Sequence, residues 1–532
     1  MNERFVTLLA ILFVAGWYAC EGAHYRKEPA ASPSEGLDLR GADQSLEEEQ
    51  PNKNSRDALP EKPNFIILFG DDMGYGDSNM DGHPTSRTPN LDQMAREGMR
   101  FTQFYSAAPV CSPSRASLMT GRYFPRAGVY QDPQNNKSTG MSVFGTMGSK
   151  GMLLSEITIP QALKPLGYVS GMVGKWHLGI QHPYHPVSRG FDSYLGCPFN
   201  LKGCNSTIVN GTERTPNCMV FSNYTITEQP ADLLNIDARY VQNVKDFINN
   251  NTDNPFLFYF SSYHTHLPQF ASSKYINTTR RGLFGDALAQ FDGDVGEILS
   301  FLKEKGIANR TFVVFTADNG PQLASDLLGG EQGPLKCGKG TTYEGGVREP
   351  AIMWWPGVIK ANTLSYAVAS TLDIFPTVLS LAGGKNPENV TLDGYDLTEL
   401  ITGTNPQGPR DHMFYYSGKY LMAARLNQYK AHFYTMGSHC GEDYPDADCR
   451  GKTTLKVQDP PLLFDLARDP KERQPLPLKQ FQAVLTVISD LVAEHNKTMT
   501  FGPPQIGIDV SKDNFPCCNP TCTPRPECCK CQ

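Results

Sequence analysis

Five short, continuously apolar segments constrain the fold of this chain more than any other feature of its sequence. They are FIILF (65–69), YVSGMV (168–173), FLFYF (256–260), TFVVFTA (311–317) and AIMWW (351–355). A strand with one wet face alternates apolar and polar residues, whereas an unbroken apolar run is typical of a strand covered on both faces. The segments therefore predict the central strands of a sheet that is buried between helices.

Helical patterns lie between these strands. Residues 88–98 predict a short helix with Thr88 as its N-cap, Pro89 in its first turn and Gly98 at its end. Residues 285–306 carry apolar side chains at helical spacing and predict a longer helix. Because strands and helices alternate, we expect a doubly wound α/β domain with a large, mostly parallel sheet.

The pattern changes after about residue 400. Four short apolar strands follow closely, at 413–416, 421–426, 429–435 and 461–466. This spacing indicates a small antiparallel sheet, and residues 478–495 then predict an amphipathic helix. The chain of 532 residues is long enough for two domains. We therefore expect a main domain at 61–400 and a smaller C-terminal domain at 401–532 that ends in a Cys-rich tail.

The N-terminus has the pattern of a signal peptide. Arg4 precedes an apolar run that ends near Tyr18, and small residues follow. We expect a signal peptide at 1–22 and a polar, flexible leader at 23–60. The alternative is a membrane anchor, but the run is shorter than the ~20 residues that a membrane span needs. We therefore expect no transmembrane segment.

Nine Asn-x-Ser/Thr sequons also point to the secretory pathway, with the lysosome and the extracellular space both open. The candidate glycosylation sites are Asn136, Asn205, Asn210, Asn223, Asn250, Asn277, Asn309, Asn389 and Asn496. A net charge of −7 argues against a nucleic-acid partner. A homo-oligomer is compatible with the sequence but not specified by it.

The distribution of the 14 cysteines sets Cys111 apart. Cys20 leaves with the predicted signal peptide, and six cysteines lie in the tail between Cys517 and Cys531. With Cys111 also set aside, twelve remain, an even number that is compatible with disulfides. Parity therefore allows Cys111 to be free, although half of a disulfide is the ordinary alternative.

Chemically active residues follow the predicted strands at the points where the strands end. In an open parallel sheet, ligands bind beyond the carboxyl ends of the strands. The residues of this set are Asp71, Asp72, Lys175, His177, His264, His266, Asp318 and Asn319, with Lys339 further along the chain. Carboxylates from separate strands, with an amide beside one, suit Ca²⁺ or Mg²⁺. Each motif alone is also typical of a turn, but together they predict a receptor for a tetrahedral oxyanion.

The segment CSPSR (111–115) adds a cysteine to this set. Ser112 predicts an N-cap and Pro113 the first residue of a helix that continues to about Gly121. Cys111 would then lie just before a helix N-terminus, which favours anions, and Arg115 could hold Cys111 or its product in place. One interpretation is an activated thiolate nucleophile. A thiolate is, however, an odd choice for hydrolysing an oxyanion ester beside a metal and two carboxylates.

These motifs together resemble the type I sulfatase family. C-x-P-x-R at 111–115 matches the family's signal for conversion of Cys111 to formylglycine (3-oxoalanine), and GKWHLG (174–179) resembles its second signature. DDMGYGD, ADNGP and CGKGTTYEGGVREPA complete the set in order, and the resemblance extends from residue 63 to the C-terminus. It implies an alkaline-phosphatase-like fold and a sulfuric ester hydrolase. It also implies the formylglycine-generating enzyme as a partner during maturation.

The resemblance implies a role for each residue of the site. The metal ligands that it implies are Asp71, Asp72, Cys111 as formylglycine, Asp318 and Asn319. The catalytic residues that it implies are Cys111 as the nucleophile, Arg115, His177 and His266. The residues that would contact the substrate are Lys175, His266, Lys339 and Asn200. The implied metal is one Ca²⁺ per site, with Mg²⁺ as the alternative.

Within the family, HTHLPQF, YKAHF, TFGPPQ and the Cys-rich tail resemble the arylsulfatase A branch most, with the galactosamine-6-sulfatases next. One residue departs from that branch: Asn200 stands where it has a serine, and an amide can still donate to a sulfate oxygen. Sulfated galactolipids and small aryl sulfates are the implied substrates, with related sulfated sugars open. The expected disulfides are Cys204–Cys218, Cys337–Cys449 and pairs within the tail.

Two other functions are alternatives to a sulfatase. A phosphatase or phosphodiesterase of the alkaline-phosphatase-like fold typically uses Ser or Thr with two Zn²⁺ ions and several histidines, which this set does not match. A secreted, sulfatase-like glycoprotein could instead have a structural role or bind sulfated glycans in an extracellular matrix. The intact catalytic set favours the enzyme over both.

Overall fold

The computed structural model describes residues 59–132, 142–201, 218–323, 329–438, 440, 444–451, 455–525, 528–529 and 531. The predicted signal peptide and nearly all of the predicted leader lie outside these residues. The described residues all belong to one compact unit, which spans residues 52–532. None of the described helices is long and apolar enough to cross a membrane.

Eleven strands among the described residues form one large mixed sheet. In chain order they are β1 (Asn64–Gly70), β2 (Met99–Tyr105), β3 (Val169–Gly174), β4 (Ser193–Gly196), β5 (Val220–Ser222), β6 (Thr225–Glu228), β7 (Phe256–Ser261), β8 (Thr311–Ala317), β9 (Arg348–Trp354), β10 (Thr363–Ser365) and β11 (Ala369–Ser370). Their order across the sheet is β10-β2-β9-β8-β1-β7-β3-β4-β5-β6, and β11 also pairs with β2.

The centre of this sheet is parallel, as the apolar segments predicted. Strands β8, β1, β7, β3 and β4 run parallel to one another. Strand β9, predicted as AIMWW, pairs antiparallel with β8 and β2, and β5 and β6 are antiparallel at the other side. The prediction of a large mixed, mostly parallel sheet is therefore confirmed.

The α-helices of the described residues lie between and after these strands. They are α1 (Pro89–Glu97), α2 (Cys111–Thr120), α3 (Ile159–Leu163), α4 (Ile236–Asn250), α5 (Gly282–Glu304), α6 (Glu344–Val347), α7 (Ile374–Leu381), α8 (Thr398–Ile401) and α9 (Gln482–Thr498). Helix α1 starts at Pro89 as predicted, but the Thr88 side chain does not cap it. The Thr88 hydroxyl instead accepts a hydrogen bond from the Asn79 N–H.

Strand β1 shows why unbroken apolar runs form the centre of the sheet. Phe65, Ile67 and Phe69 pack into one hydrophobic cluster, and Ile66 and Leu68 pack into another. All five side chains are at most 1% exposed. Because successive side chains of a strand point to opposite faces, both faces of the sheet must be covered by apolar layers.

The C-terminal part contains a four-stranded antiparallel sheet in the order β12-β13-β14-β15. Its strands are β12 (His412–Ser417), β13 (Tyr420–Leu426), β14 (Tyr429–Thr435) and β15 (Lys456–Asp465). The His495 ring of α9 stacks on Phe414 of β12 with 3.9 Å between centroids, and Tyr123, which follows α2, meets both rings edge-on. The two sheets therefore share a hydrophobic core, and the domain boundary near residue 400 stays a prediction.

Candidate active site

The carboxyl ends of neighbouring parallel strands meet at one edge of the large sheet. Gly70 at the end of β1 lies opposite Ala317 at the end of β8, and Gly174 of β3 lies opposite Ser261 of β7. The backbone turns sharply at Gly174, where φ is +87° and an added Cβ would lie 1.8 Å from the Ser261 carbonyl oxygen. The residues that follow these strands, and therefore converge, are Asp71, Asp72, Lys175, Asp318 and Asn319.

Two lysines hold the two carboxylates that follow β1. Lys175 Nζ donates to Asp71 Oδ2 over 2.6 Å, and Lys339 Nζ donates to Asp72 Oδ2 over the same distance. All four side chains are buried. Burial opposes ionisation of both carboxyl groups, but the attraction of these lysines outweighs it and lowers the pKa of Asp71 and Asp72. Both are therefore carboxylates at neutral pH.

Arg115 links the other strand ends. Its Nε and Nη2 both donate to Asp318 Oδ2, over 3.0 and 2.9 Å. Its Nη1 donates to the carbonyl oxygen of Lys175 over 3.0 Å and to Ser261 Oγ over 2.5 Å. The guanidinium is buried among these acceptors. Arg115 therefore ties α2 to the ends of β8, β3 and β7.

Cys111 is the first residue of α2, and it is a free, buried cysteine. Its Sγ lies 3.6 Å from Asp71 Oδ1 and 4.0 Å from Asp72 Oδ1. Burial, and then the charge of Asp318, raise the pKa of the thiol to about 12. The thiol is thus protonated at neutral pH, and the interpretation of Cys111 as an activated thiolate does not fit this environment.

The predicted start of this helix was wrong by two residues. Val110 precedes the helix and no side chain caps it, so Ser112 is not an N-cap and Pro113 is not the first helical residue. The Ser112 hydroxyl is engaged elsewhere, because it accepts a hydrogen bond from the Phe144 N–H over 3.1 Å. The shift places Cys111 inside the first turn, with its side chain directed by the helix towards the carboxylates.

Two of the three candidate histidines lie in the site. His266 Nε2 is 3.7 Å from Asp72 Oδ2, and His266 Nδ1–H donates to the Leu267 carbonyl, which can only accept. Burial, and then the charge of Lys339, lower the pKa of His266. His264 instead pairs with Asp237 of α4 over 3.0 Å. The structure therefore separates His266, to which the resemblance assigned a role, from His264, which the strand-end pattern alone did not distinguish from it.

His177 has one engaged nitrogen and one open nitrogen. Its Nε2–H donates to the Phe144 carbonyl over 2.9 Å, and its Nδ1 is buried without a partner among the described residues. Burial, and then the charges of Lys175 and Arg115, hold the pKa of His177 well below its usual value. Because Nε2 carries the hydrogen, Nδ1 carries the lone pair of the neutral ring and can accept a proton.

The arrangement offers oxygen ligands for a hard divalent cation. Ligand atoms of Asp71, Asp72, Cys111 and His266 all lie within 4.8 Å of one another. Asn319 Nδ2 donates to Asp72 Oδ1 over 2.8 Å, whereas Asn319 Oδ1 is buried with no partner in the described part of the chain. Carboxylate and amide oxygens are the ligands that Ca²⁺ and Mg²⁺ prefer, so the residues fit such a metal.

The structure also describes Asn200 and most of the predicted disulfide cysteines. Asn200 is half-buried, two residues after Pro198, whose carbonyl accepts a hydrogen bond from the His177 N–H.

Cys337, two residues before Lys339, forms a disulfide with Cys449, and the described tail pairs are Cys517–Cys529, Cys518–Cys531 and Cys522–Cys528. Cys204 lies outside the described residues, so the predicted Cys204–Cys218 disulfide stays a prediction.

The sequons that the structure describes are accessible. Asn136, Asn205 and Asn210 lie outside the described residues. The asparagines that are described are all exposed, namely Asn223, Asn250, Asn277, Asn309, Asn389 and Asn496. Glycosylation at these six positions stays a prediction that exposure permits.

Sequence reasoning missed Ser261, the last residue of β7. Its hydroxyl accepts from Arg115 and donates to the Lys175 carbonyl over 2.6 Å, so it joins two residues of the site. Ser261 follows the run FLFYF directly. The rule that ligands gather beyond strand ends would have identified it, had it been applied to hydroxyl groups as well as to charged and imidazole side chains.

Two family models and several relatives match most of this chain. The family model described as "Sulfatase" matches residues 63–384, and the model described as "C-terminal region of aryl-sulfatase" matches residues 408–531. Arylsulfatase A of Homo sapiens is 39% identical over 503 residues, which cover 89% of this chain and 96% of the relative. N-acetylgalactosamine-6-sulfatase of Canis lupus familiaris is 41% identical over 474 residues, which cover 84% of this chain and 88% of the relative.

A solved structure extends the similarity to the fold. The PsFucS1 sulfatase from Pseudoalteromonas sp. superimposes with a TM-score of 0.74 at 28% sequence identity. The superposition covers 85% of this chain and 94% of that one. The large mixed sheet and the smaller C-terminal antiparallel sheet are therefore the architecture of this group of proteins.

Proposed function

This chain belongs to the sulfatase family and is a sulfate ester hydrolase, and we propose that it cleaves sulfate monoesters through a formylglycine made from Cys111. The setting of Cys111 carries the proposal, because a free, buried cysteine lies beside Asp71 and Asp72 at the start of α2. A buried, protonated thiol is a poor nucleophile. Conversion to formylglycine by the formylglycine-generating enzyme would give a hydrated aldehyde, with two hydroxyl groups, at the same position.

The proposed cofactor is one Ca²⁺, with Mg²⁺ as the alternative. Asp71, Asp72, Asp318 and Asn319 would hold it, together with an oxygen of the modified Cys111. Such an ion supplies positive charge and lowers the pKa of a coordinated hydroxyl. We expect chelation with EGTA to lower the thermal unfolding temperature, and added Ca²⁺ to restore it. An unchanged unfolding temperature would argue against a bound calcium ion.

The first chemical step transfers the sulfuryl group to the protein. One hydroxyl of the formylglycine hydrate gives its proton to solvent and attacks sulfur, and the bond from sulfur to the alcohol oxygen breaks as the new oxygen–sulfur bond forms. Lys175 and Lys339 are the cations that would neutralise the sulfate oxygens. His266 in its imidazolium form would donate a proton from Nε2 to the leaving oxygen, because its Nδ1–H is engaged by Leu267 and Nε2 of the neutral ring carries no hydrogen.

The second step releases sulfate. The remaining hydroxyl loses its proton, the carbon–oxygen bond to the sulfate breaks, and the aldehyde forms again. His177 is the proposed acceptor because its Nδ1 carries the free lone pair. Arg115 would orient the hydrate from its position between Asp318 and the strand ends. Asn200 would add a hydrogen bond to a sulfate oxygen through its amide.

The proposed substrates are sulfated galactolipids, related sulfated sugars and small aryl sulfates. Their support is the similarity to arylsulfatase A and to N-acetylgalactosamine-6-sulfatase, whose names indicate an aryl sulfate and a sulfated sugar. The proposed location is the secretory pathway, with delivery to the lysosome or the extracellular space. A homo-oligomer is also proposed, without a defined stoichiometry.

The first experiment is mass spectrometry of the peptide that contains Cys111, from protein secreted by a eukaryotic host. A mass lower by roughly 18 Da than the unmodified peptide is expected for conversion to formylglycine. A known sulfatase expressed in the same host is the control for the converting enzyme. An unmodified thiol, or a disulfide at Cys111, in a host that converts the control would contradict the proposal.

A serine variant tests the release step separately. Cys111→Ser could form the covalent sulfate ester but has no second hydroxyl to expel it, so we expect a trapped sulfated protein. Intact-protein mass after incubation with an aryl sulfate measures the adduct. Full turnover by this variant would contradict the proposed mechanism. Comparing turnover of aryl sulfate and aryl phosphate by the unmutated enzyme distinguishes the phosphatase alternative.

A further inference from the structure

A second cleft lies between the edge of the large sheet and the small antiparallel sheet. Its volume is about 670 Å³, and residues of β2, β9 and β13 line it together with the loops around Tyr366 and Gln407. This volume is within the range of ligand sites in proteins. None of the residues assigned above to metal, catalysis or sulfate contact lines this cleft. It is therefore a separate candidate site.

The cleft is lined by positive charge. Arg348, Arg410 and Arg425 line it, and no carboxylate occurs among its described lining residues. Arg410 is paired with Asp373, and Arg348 lies 3.4 Å from Glu344, but neither of those acids lines the cleft. A ligand in the cleft would therefore face guanidinium groups, which bind sulfate and carboxylate groups in a bidentate way.

Among the three arginines, Arg425 makes no direct ion pair with a carboxylate of the described residues, whereas Arg348 and Arg410 do. It is 2% exposed, and its hydrogen bonds within the described residues go to neutral oxygens, those of Tyr105, Gln103 and the Asn427 backbone. These bonds occupy three of the five N–H groups that a guanidinium carries. A buried cation held by neutral groups attracts an anion more strongly than one that is paired with a carboxylate.

The rest of the lining suits a sugar chain. Tyr366 is 69% exposed, while its carbonyl oxygen accepts a hydrogen bond from Gln103 Nε2 over 2.7 Å. The backbone of Tyr366 is thus anchored, and its ring presents an apolar face to solvent. Further amide side chains in the lining, which can both donate to and accept from hydroxyl groups, are Gln407, Asn427 and Gln428.

We propose that this cleft binds a sulfated oligosaccharide, with a sulfate group on Arg425 and Arg348 and a sugar ring against Tyr366. Charge complementarity selects an anion, and the exposed tyrosine and the amides select a polyhydroxylated chain. The site would hold a sulfated chain independently of catalysis. Binding in the cleft does not require the modification of Cys111, so the experiment below tests it independently of the catalytic proposal.

Calorimetric titration with a chondroitin sulfate hexasaccharide tests the cleft. The full-length secreted protein would carry Cys111→Ala, so that turnover does not consume the probe. Tyr366→Ala and Arg425→Lys should each weaken binding about tenfold, because one loses the ring contact and the other the bidentate geometry. Tyr366→Ala removes an exposed side chain, so it keeps the test valid if the buried Arg425 variant fails to fold. Arg96→Lys, the same substitution at an exposed arginine outside the cleft, is the matched control.

Three comparisons decide the outcome. A hyaluronan hexasaccharide, which has carboxylates but no sulfate, should bind at least about tenfold more weakly than the sulfated probe. Lys339→Met, in the catalytic centre, should leave the titration unchanged. Tyr366→Ala without the Cys111 change should keep the turnover of a small aryl sulfate. Equal binding of both hexasaccharides, or loss of binding with Lys339→Met but not with Tyr366→Ala, would overturn the proposal.

Discussion

At the scale of single residues, the candidate active site is balanced in charge. Three buried carboxylates, Asp71, Asp72 and Asp318, face three buried cations, Lys175, Lys339 and Arg115. A bound divalent cation would add two positive charges, which complement an incoming sulfate ester. Each cation also touches a carboxylate that is a proposed metal ligand, so charge at the metal and charge at the substrate are coupled.

Lys339→Met should lower kcat/KM for an aryl sulfate by about 10²–10³, because one of the cations aimed at the sulfate is lost. Lys339→Arg, which keeps the charge, should lower kcat/KM by a smaller factor. Lys336→Met is a control in the same segment, because Lys336 pairs with Asp448 rather than with Asp72. Circular dichroism checks the fold, since the change leaves Asp72 with one partner fewer. Activity within twofold of the unmutated enzyme would contradict a role for Lys339 at the sulfate.

His185 should make stability depend on pH. It is 1% exposed, with its ring against Tyr194, Phe221 and Tyr224. Burial, and then the charge of His182, lower its pKa from 6.5 to about 4. The folded protein holds this ring neutral while the unfolded chain takes up a proton. The stabilisation that the neutral, buried ring of His185 contributes is therefore complete above pH 6.5 and is lost as the pH falls towards 4.

His185→Phe removes this titration. The difference in free energy of unfolding between pH 7 and pH 4.5 should shrink by up to about 3 kcal/mol in the variant. Urea denaturation at a series of pH values measures it. The same pH dependence in both proteins would show that His185 does not titrate as its burial indicates.

At the scale of elements, the small sheet holds the segment that carries Lys339. Lys430 of β14 donates to Glu344 Oε1 of α6 over 2.9 Å, and Glu472 Oε2 accepts from the Glu344 N–H over 2.6 Å. These side chains are at most 1% exposed. Burial opposes ionisation of Glu344, but the attraction of Lys430 outweighs it and lowers its pKa to about 2. The position of the segment that carries Lys339 thus depends on contacts with a different sheet.

Lys430→Met should lower the free energy of unfolding by about 3–5 kcal/mol, because it leaves Glu344 and Glu472 buried without this cation. Chemical denaturation measures the loss. Lys497→Met is the matched control, because Lys497 pairs with Glu494 on the surface and its removal should change stability little. Equal stability of the two variants would mean that the buried network does not hold α6.

At the scale of the whole molecule, a disulfide joins the two sheets. Cys337 precedes Lys339, and Cys449 lies between β14 and β15, 112 residues later in the chain. A bridge over so long a loop restricts the unfolded chain strongly. The shared core around Tyr123 and Phe414 adds a second, noncovalent link. The C-terminal part is therefore linked to the large sheet both covalently and through shared packing.

Replacing Cys337 and Cys449 by alanine should lower the free energy of unfolding by about 4–5 kcal/mol. The control is Cys440→Ala, which removes a free cysteine whose Sγ lies 3.0 Å from the Cys449 carbonyl oxygen. That variant should lose about 1 kcal/mol or less. Thermal or chemical unfolding of the unmutated protein, the double variant and Cys440→Ala measures these losses. A double variant as stable as Cys440→Ala would show that the disulfide does not stabilise the fold.

Much of the fold and of the candidate site can be predicted from local patterns in the sequence. Unbroken apolar runs such as FIILF predicted the buried parallel strands, because a strand covered on both faces needs apolar side chains at every position. The same rule predicted that Asp71 and Asp318 would meet, since parallel strands end at one edge. The expected metal-ligand and lysine positions followed from the types of residue found there, and the family resemblance supplied the expectation that Cys111 is a formylglycine precursor.

Other features depend on contacts between residues far apart in the chain. Ser112 looked like a cap, yet its hydroxyl bonds to Phe144, and His264 looked equivalent to His266, yet it pairs with Asp237. The network of Lys430 with Glu344 and the arginine-lined cleft both arise where the second sheet packs on the first. Periodicity and spacing describe a residue's neighbours along the chain, whereas hydrogen-bond partners and clefts form only when separate elements pack together.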